Sequence, residues 1–177
     1  MITADSDLVE VAFAVCTALD RAGVTAVLSG GGAATFYAPE AIQSYDLDFI
    51  LEVYPKDGDP AQVLTDLGYR NKGHDYVHSV SRFQLEFPRG PLAVGDDLIR
   101  KWSTQHSGDE LLHIITATDS CRDRLAAFYH FKDRSALEQA LAVSRTTKAT
   151  IDLKQIKSWS RREGMLDEYA TFERLLD

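Results

Sequence analysis

The sequence predicts an α/β fold, a small mixed sheet with flanking helices and a C-terminal helical cap. Three observations predict it. Short apolar runs of strand character alternate with helix-period segments in the first two thirds of the chain, and everything from Asp119 onward reads as helix. The composition, 45% hydrophobic and 26% charged, is that of a folded globular protein. At 177 residues the chain is expected to form one compact unit, with residues 1–117 as the core and 118–177 as the cap.

Leu8, Val11, Ala12, Val15 and Leu19 recur at helical spacing, Asp7 and Glu10 have capping-box spacing, and Gly23 supplies a stop, so a helix is expected over 6–22. Residues 24–28 form a short, partly β-branched apolar run, a buried strand that ends in Ser29-Gly30-Gly31-Gly32 ahead of a helix-compatible AATFYA. Residues 45–53 alternate, with Leu47, Phe49 and Leu51 on one face and Asp46, Asp48 and Ile50 on the other. A helix over 59–67 closes at Gly68, and HDYVHS and SRFQLEF follow as a hairpin whose second strand turns Phe83, Leu85 and Phe87 inward and Arg82, Gln84 and Glu86 outward. FPRGPLAVGDD is rich in turn residues, and LLHIITA suits either a strand or a buried connector. Helices are expected at 120–131, 134–144, 152–162 and 166–176, with Phe128, Tyr129, Phe131, Trp159, Tyr169 and Phe172 as the core of the cap.

Net charge is −8, against a general nucleic-acid coat, but it is unevenly spread. Residues 1–120 carry eight Lys or Arg and eighteen Asp or Glu, whereas residues 121–177 carry eleven and nine. No basic, apolar leader and no bilayer-length apolar run is present, so no membrane role and a cytoplasmic location are expected. Cys16 and Cys121 fall in helix-like segments and read as buried free thiols rather than a disulfide framework or a nucleophile.

The glycine turn and the paired aspartates together carry the chemistry. Glycines let backbone N–H groups and a helix N-terminus approach a triphosphate, and two carboxylates at i and i+2 on a strand point the same way and can share divalent cations. This is the requirement of metal-assisted phosphoryl transfer, in which Mg2+ or Mn2+ bridges protein and phosphate. Such a site needs a third carboxylate from a neighbouring strand, and Glu86 is the placed candidate, although an outward Glu beside Gln84 and Arg82 equally suits a solvated strand face.

SGGGAATFY followed by SYDLDFIL resembles the minimal polymerase-β-type nucleotidyltransferases, especially the nucleotidyltransferase toxins of bacterial abortive-infection systems. Gly31, Gly32, Ser44, Asp46 and Asp48 match that pattern position for position, and Arg124-Leu125-Ala126-Ala127 with Lys132-Asp133 matches a later helical motif more loosely. The resemblance implies a nucleotidyltransferase-like core that moves a nucleoside monophosphate from an NTP to a hydroxyl on an RNA end, a protein or a small molecule, with an antitoxin or other protein as a further partner. It implies metal binding and catalysis by Asp46, Asp48 and Glu86, and nucleotide binding by Ser29, Gly30, Gly31, Gly32, Ser44 and Arg124. Relatives commonly carry a hydroxyl directly after the glycine pair, where this chain has Ala33, with Ser29 the substitute at the other end of the turn.

Plainer readings stand beside these. The Arg124 stem can cover Phe128 and Phe131, Asp133 can be a helix N-cap, and His74 and His78 read as hairpin surface. Arg145, Lys148, Lys154, Lys157, Arg161 and Arg162 oppose only Asp152 across 145–162. A solvated face explains that run, while Lys154, Lys157, Arg161 and Arg162 would also suit an RNA acceptor. A second reading of the whole chain is a catalytically silent protein of the same fold that senses nucleotide or binds a partner.

Overall fold

The computed structural model describes residues 1–41, 43–53 and 59–176; residue 177, the last of the expected cap, lies outside them. The first helix, α1 (Leu8–Arg21), begins with the capping box the sequence spells. Asp7 accepts a hydrogen bond from the Glu10 N–H (2.8 Å), and Glu10 accepts one from the Asp7 N–H (3.0 Å). Its apolar stripe, Val11, Ala12, Val15, Cys16 and Leu19, is fully buried.

The chain then runs β1 (Thr25–Ser29), α2 (Gly30–Tyr37), β2 (Asp46–Val53), α3 (Pro60–Asp66), β3 (Tyr69–Lys72), β4 (Asp75–His78) and β5 (Gln84–Glu86). A two-stranded ribbon, β6 (Ala93–Val94) and β7 (Asp97–Leu98), precedes β8 (Ser103–Ser107) and β9 (Glu110–Ile114). The main sheet has the order β3-β4-β5-β2-β1-β9-β8. It is mixed: β1 lies antiparallel to β2 and parallel to β9, and β5 runs parallel to β2. Of LLHIITA, residues 111–114 lie in β9 next to β1, and Ile115 and Thr116 connect it to the helix that starts at Ala117.

Two differences from the sequence reading concern this sheet. HDYVHS and SRFQLEF do pair antiparallel as β4 and β5, but β4 also closes a tight hairpin with β3 through Gly73, which takes a left-handed φ of 75°. Strands β3 and β8 were not foreseen because both lie at sheet edges and are mostly exposed, so neither carries an apolar alternation.

The cap consists of α4 (Ala117–Phe131), α5 (Arg134–Thr146), α6 (Leu153–Arg162) and α7 (Leu166–Leu176). Helices α4 and α5 pack on α2, so the cap closes over the glycine helix. Tyr129 stacks on Trp159 at 5.6 Å, and its hydroxyl shares a hydrogen bond with Ser160 (2.8 Å). Phe131, expected in the cap core, is 82% exposed. Two residues beyond the buried Tyr129, it falls on the far side of α4, just before Lys132 ends the helix at a φ of 55°. Among the described residues no helix is long and apolar enough to cross a membrane.

Candidate active site

Strand β1 passes directly into α2, so the glycines form the first helical turn rather than a separate loop. Gly30 has a φ of 63°, and a Cβ there would overlap the Asp48 carboxylate. A Cβ on Gly31 would lie 3.2 Å from Ser44 Oγ, and one on Gly32 would lie 3.2 Å from the Asp46 carbonyl. Each glycine therefore lets the start of α2 press against a different point of the segment that carries the aspartates.

Register sets the carboxylates side by side. Ser29 opposes Asp48 across β1 and β2, Asp46 and Asp48 stand opposite Gln84 and Glu86 on β5, and Asp75 of β4 stands opposite Glu86. Paired residues of neighbouring strands share a face, so Asp46, Asp48, Glu86 and Asp75 lie on one face of the sheet. Burial, then the Glu86 charge, pushes the Asp48 carboxyl up to about 6, while Arg124 opposes the rise and Asp123 and Asp46 add to it. Glu86 is also raised, first by burial and then by Asp46 and Asp75, with His74 pulling the other way.

Arg124 reaches this place from α4. Its guanidinium bonds Asp123 through Nε (2.9 Å) and Nη2 (2.5 Å) and Gln139 through Nη1 (3.3 Å), and it lies 3.9 Å from a Cβ on Gly31. Asp133 is the N-cap of α5, as its plainer reading had it.

The two serines brace backbone. Ser29 makes no side-chain bond to the start of α2; its hydroxyl donates to the Asp48 carbonyl (3.2 Å). Ser44 Oγ donates to the Asp46 carbonyl (2.9 Å) and accepts from the Asp46 N–H (3.3 Å), while the Ser44 N–H donates to Thr35 Oγ1 (3.0 Å). The first N–H groups of α2 are thus left without a side-chain cap, next to Arg124 and Asp48.

Beside them opens a cavity of about 300 Å³, lined by Ser29, Gly30, Asp48, Ile50, Ile115, Asp123 and Arg124 and by residues of the segment from Pro88 to Ile99. That segment, Arg89 included, gave no signal in sequence beyond its turn residues. Its ribbon is held by Asp97, which accepts from Arg122 (2.5 Å) and Arg162 (2.6 Å). Arg122 is 4% exposed, also pairs with Asp119 (2.8 Å), and lies over the Trp159 ring. The basic run is partly consumed in this way: Arg162 pairs with Asp97, Lys157 with Glu173 (2.9 Å), and Arg145 donates to the Leu175 carbonyl.

The remaining candidates are structural. Burial pushes the Cys16 thiol up to about 11 and the Cys121 thiol up to about 12, which leaves both unreactive. His78 bonds the Leu67 carbonyl (3.1 Å) and packs on Tyr69.

The donor set can be tested against a divalent cation. Among the described residues no group of three His, Cys, Asp or Glu side chains forms a ready coordination shell. Asp46, Asp48 and Glu86 nevertheless concentrate hard oxygen donors on one face. That fits Mg2+, which uses one or two carboxylates and completes its shell with water and substrate phosphates rather than an all-protein cage.

No protein-family model and no curated protein matches the chain. Solved structures do. The solution structure of the antibiotic-resistance factor ANT(2'')-Ia aligns with 94% of this chain and 94% of its own, at 12% identity and a TM-score of 0.52. The crystal structure of ANT(2'')-Ia in complex with adenylyl-2''-tobramycin aligns with 96% of this chain and 98% of its own, at 11% identity and a TM-score of 0.49. The chain therefore shares its mixed α/β fold with ANT(2'')-Ia.

Proposed function

We propose that this protein transfers a nucleoside monophosphate from an NTP to a hydroxyl acceptor, with pyrophosphate leaving. The observation that carries the proposal is the convergence of Gly30 on Asp48, with Glu86 in register beside it and Arg124 over the same helix start. ANT(2'')-Ia, an aminoglycoside nucleotidyltransferase with this fold, supports group transfer in general. The free N–H groups of Gly30–Gly32 and the Arg124 guanidinium hold the triphosphate and neutralise its charge. Asp46 and Asp48 hold the divalent cation, Mg2+ or Mn2+, and Glu86 completes the donor set and orients the acceptor hydroxyl. When bound, the metal polarises the α-phosphate and stabilises the leaving pyrophosphate.

A specific observation favours the second reading, a catalytically silent nucleotide sensor: Ala33 has no hydroxyl, and Ser29, its substitute, spends its own on the Asp48 carbonyl. The RNA-end acceptor draws less support than the run of cations suggests, because Lys157 and Arg162 are paired within the chain. The deciding experiment incubates the protein with α-labelled NTPs, Mg2+ or Mn2+, and separate RNA, protein and small-molecule fractions of a lysate. Label covalently retained on one fraction, lost in Asp48→Asn, supports the transferase; NTP binding without transfer supports the sensor.

A further inference from the structure

We propose that Asp123 is a positioning residue for nucleotide binding: with Gln139 it holds the Arg124 guanidinium beside the start of α2 before a triphosphate arrives. The assignment rests on the nucleotidyl-transfer reading above. Adjacent residues of a helix point about 100° apart and do not ordinarily face each other. Asp123 and Arg124 do meet, because Nε (2.9 Å) and Nη2 (2.5 Å) of Arg124 both reach Asp123 Oδ2. From α5, Gln139 Oε1 accepts from Nη1 at 3.3 Å. This is not a solvated surface pair. The Arg124 and Asp123 side chains are 18% and 24% exposed, and both residues line the cavity with Gly30 and Asp48.

The donors left over point to the role. A guanidinium has five N–H groups. Among the described residues three are engaged, which leaves one N–H on Nη1 and one on Nη2. Nη1 lies 3.9 Å from where a Cβ of Gly31 would stand, beside a helix start whose N-cap residue, Ser29, makes no side-chain cap bond. The same anionic group can therefore be served by the helix start and by the guanidinium. A long side chain already held in place loses less freedom when that group binds.

Asp123 contributes geometry and not charge. A carboxylate here repels a triphosphate, and its charge adds to the rise of the Asp48 carboxyl. Neutralising the triphosphate would be easier without it, whereas fixing Arg124 would not. An amide at this position keeps an oxygen acceptor and drops the charge, so it should preserve the function; a methyl group should not.

The test is calorimetric titration of Mg·ATP, Mg·GTP, Mg·CTP and Mg·UTP into the parent and its variants, followed with whichever nucleotide the parent binds most tightly. Arg124→Ala should weaken binding at least tenfold. Asp123→Ala should weaken it by roughly fivefold, the scale of one long side chain set free, and Asp123→Asn should match the parent or bind more tightly. In an Arg124→Ala background, Asp123→Ala should change affinity less than twofold, since Asp123 acts through Arg124. Should Asp123→Ala fail to fold by circular dichroism, Gln139→Leu removes the third bond and should weaken binding about twofold, again only while Arg124 is present. Equal or tighter binding by Asp123→Ala, or by Gln139→Leu where that variant is used, would overturn the proposal and leave the nucleotide reading standing. An equal loss from Asp123→Ala with and without Arg124 would do the same. If the parent binds no Mg·NTP, or Arg124→Ala binds as the parent does, the nucleotide reading of Arg124 fails and the role of Asp123 fails with it.

Discussion

Gly30 meets two demands that no other residue satisfies together, a left-handed backbone at a φ of 63° and direct contact with the Asp48 carboxylate. Gly30→Ala should therefore destabilise the protein by at least about 1–2 kcal/mol from backbone strain alone, and it should push Asp48 out of register with Glu86. Urea unfolding reads the first effect and Mg·NTP titration the second. Asp48 carries the opposite kind of cost. Its carboxyl is raised to about 6 from the ordinary 3.8, so the folded state holds that proton more tightly than the unfolded chain does. The sign follows from proton linkage: ionising Asp48 costs folded stability as pH rises from about 4 to about 6, and the cost is complete above that window. Asp48→Asn should thus gain stability relative to the parent over the same window, by about 1–3 kcal/mol at pH 7.5 after allowance for solvent screening. Urea midpoints at pH 4 and 7.5 test this, and an unchanged difference between the two proteins would contradict it.

At the scale of elements, the ribbon β6–β7 and helices α4 and α6 meet through one buried cation. Arg122 serves Asp97 and Asp119 at once while lying on Trp159. Removing Arg122 leaves the buried Asp119 without its ionic partner, while Asp97 keeps Arg162, so Arg122→Ala should cost about 3–5 kcal/mol in urea unfolding. Lys157→Ala, which breaks the exposed pair with Glu173, should cost no more than about 1 kcal/mol. Elements with strong local chemistry were legible in the sequence: the Asp7–Glu10 box of α1, the aspartate-bearing β2, and α5 with its Asp133 cap. Strands β3 and β8 were not, because they are specified by the ladder beside them rather than by their own side chains. The same holds for the cavity wall, whose strands are only two residues long and whose anchor, Asp97, lies 25 residues from Arg122.

Over the whole molecule, topology does what neither the glycines nor the aspartates can do alone. Antiparallel β1 and β2 set the start of α2 over Asp48, parallel β5 brings Glu86 into register, and the cap returns Arg124 to the same point from much later in the chain. The sequence named these residues through spacing and family resemblance, yet the face shared with Asp75 and the partners Asp123 and Gln139 depend on strand order and helix packing that no local pattern encodes. Charge shows the same limit. The run of cations in the cap reads as a patch along the chain, but folding sets Glu173 and Asp97 against two of its members.

The central claim is that Asp46 and Asp48 form one metal-dependent nucleotide site. Calorimetric titration of each NTP with Mg2+ into the parent protein and into Asp46→Asn tests it most directly, because the amide keeps the shape of the side chain and removes its charge. The account predicts saturable Mg-dependent binding by the parent and a loss of at least tenfold in the variant, with both proteins equally folded. Equal affinity in the two proteins, or binding that persists undiminished when Mg2+ is chelated, would contradict it.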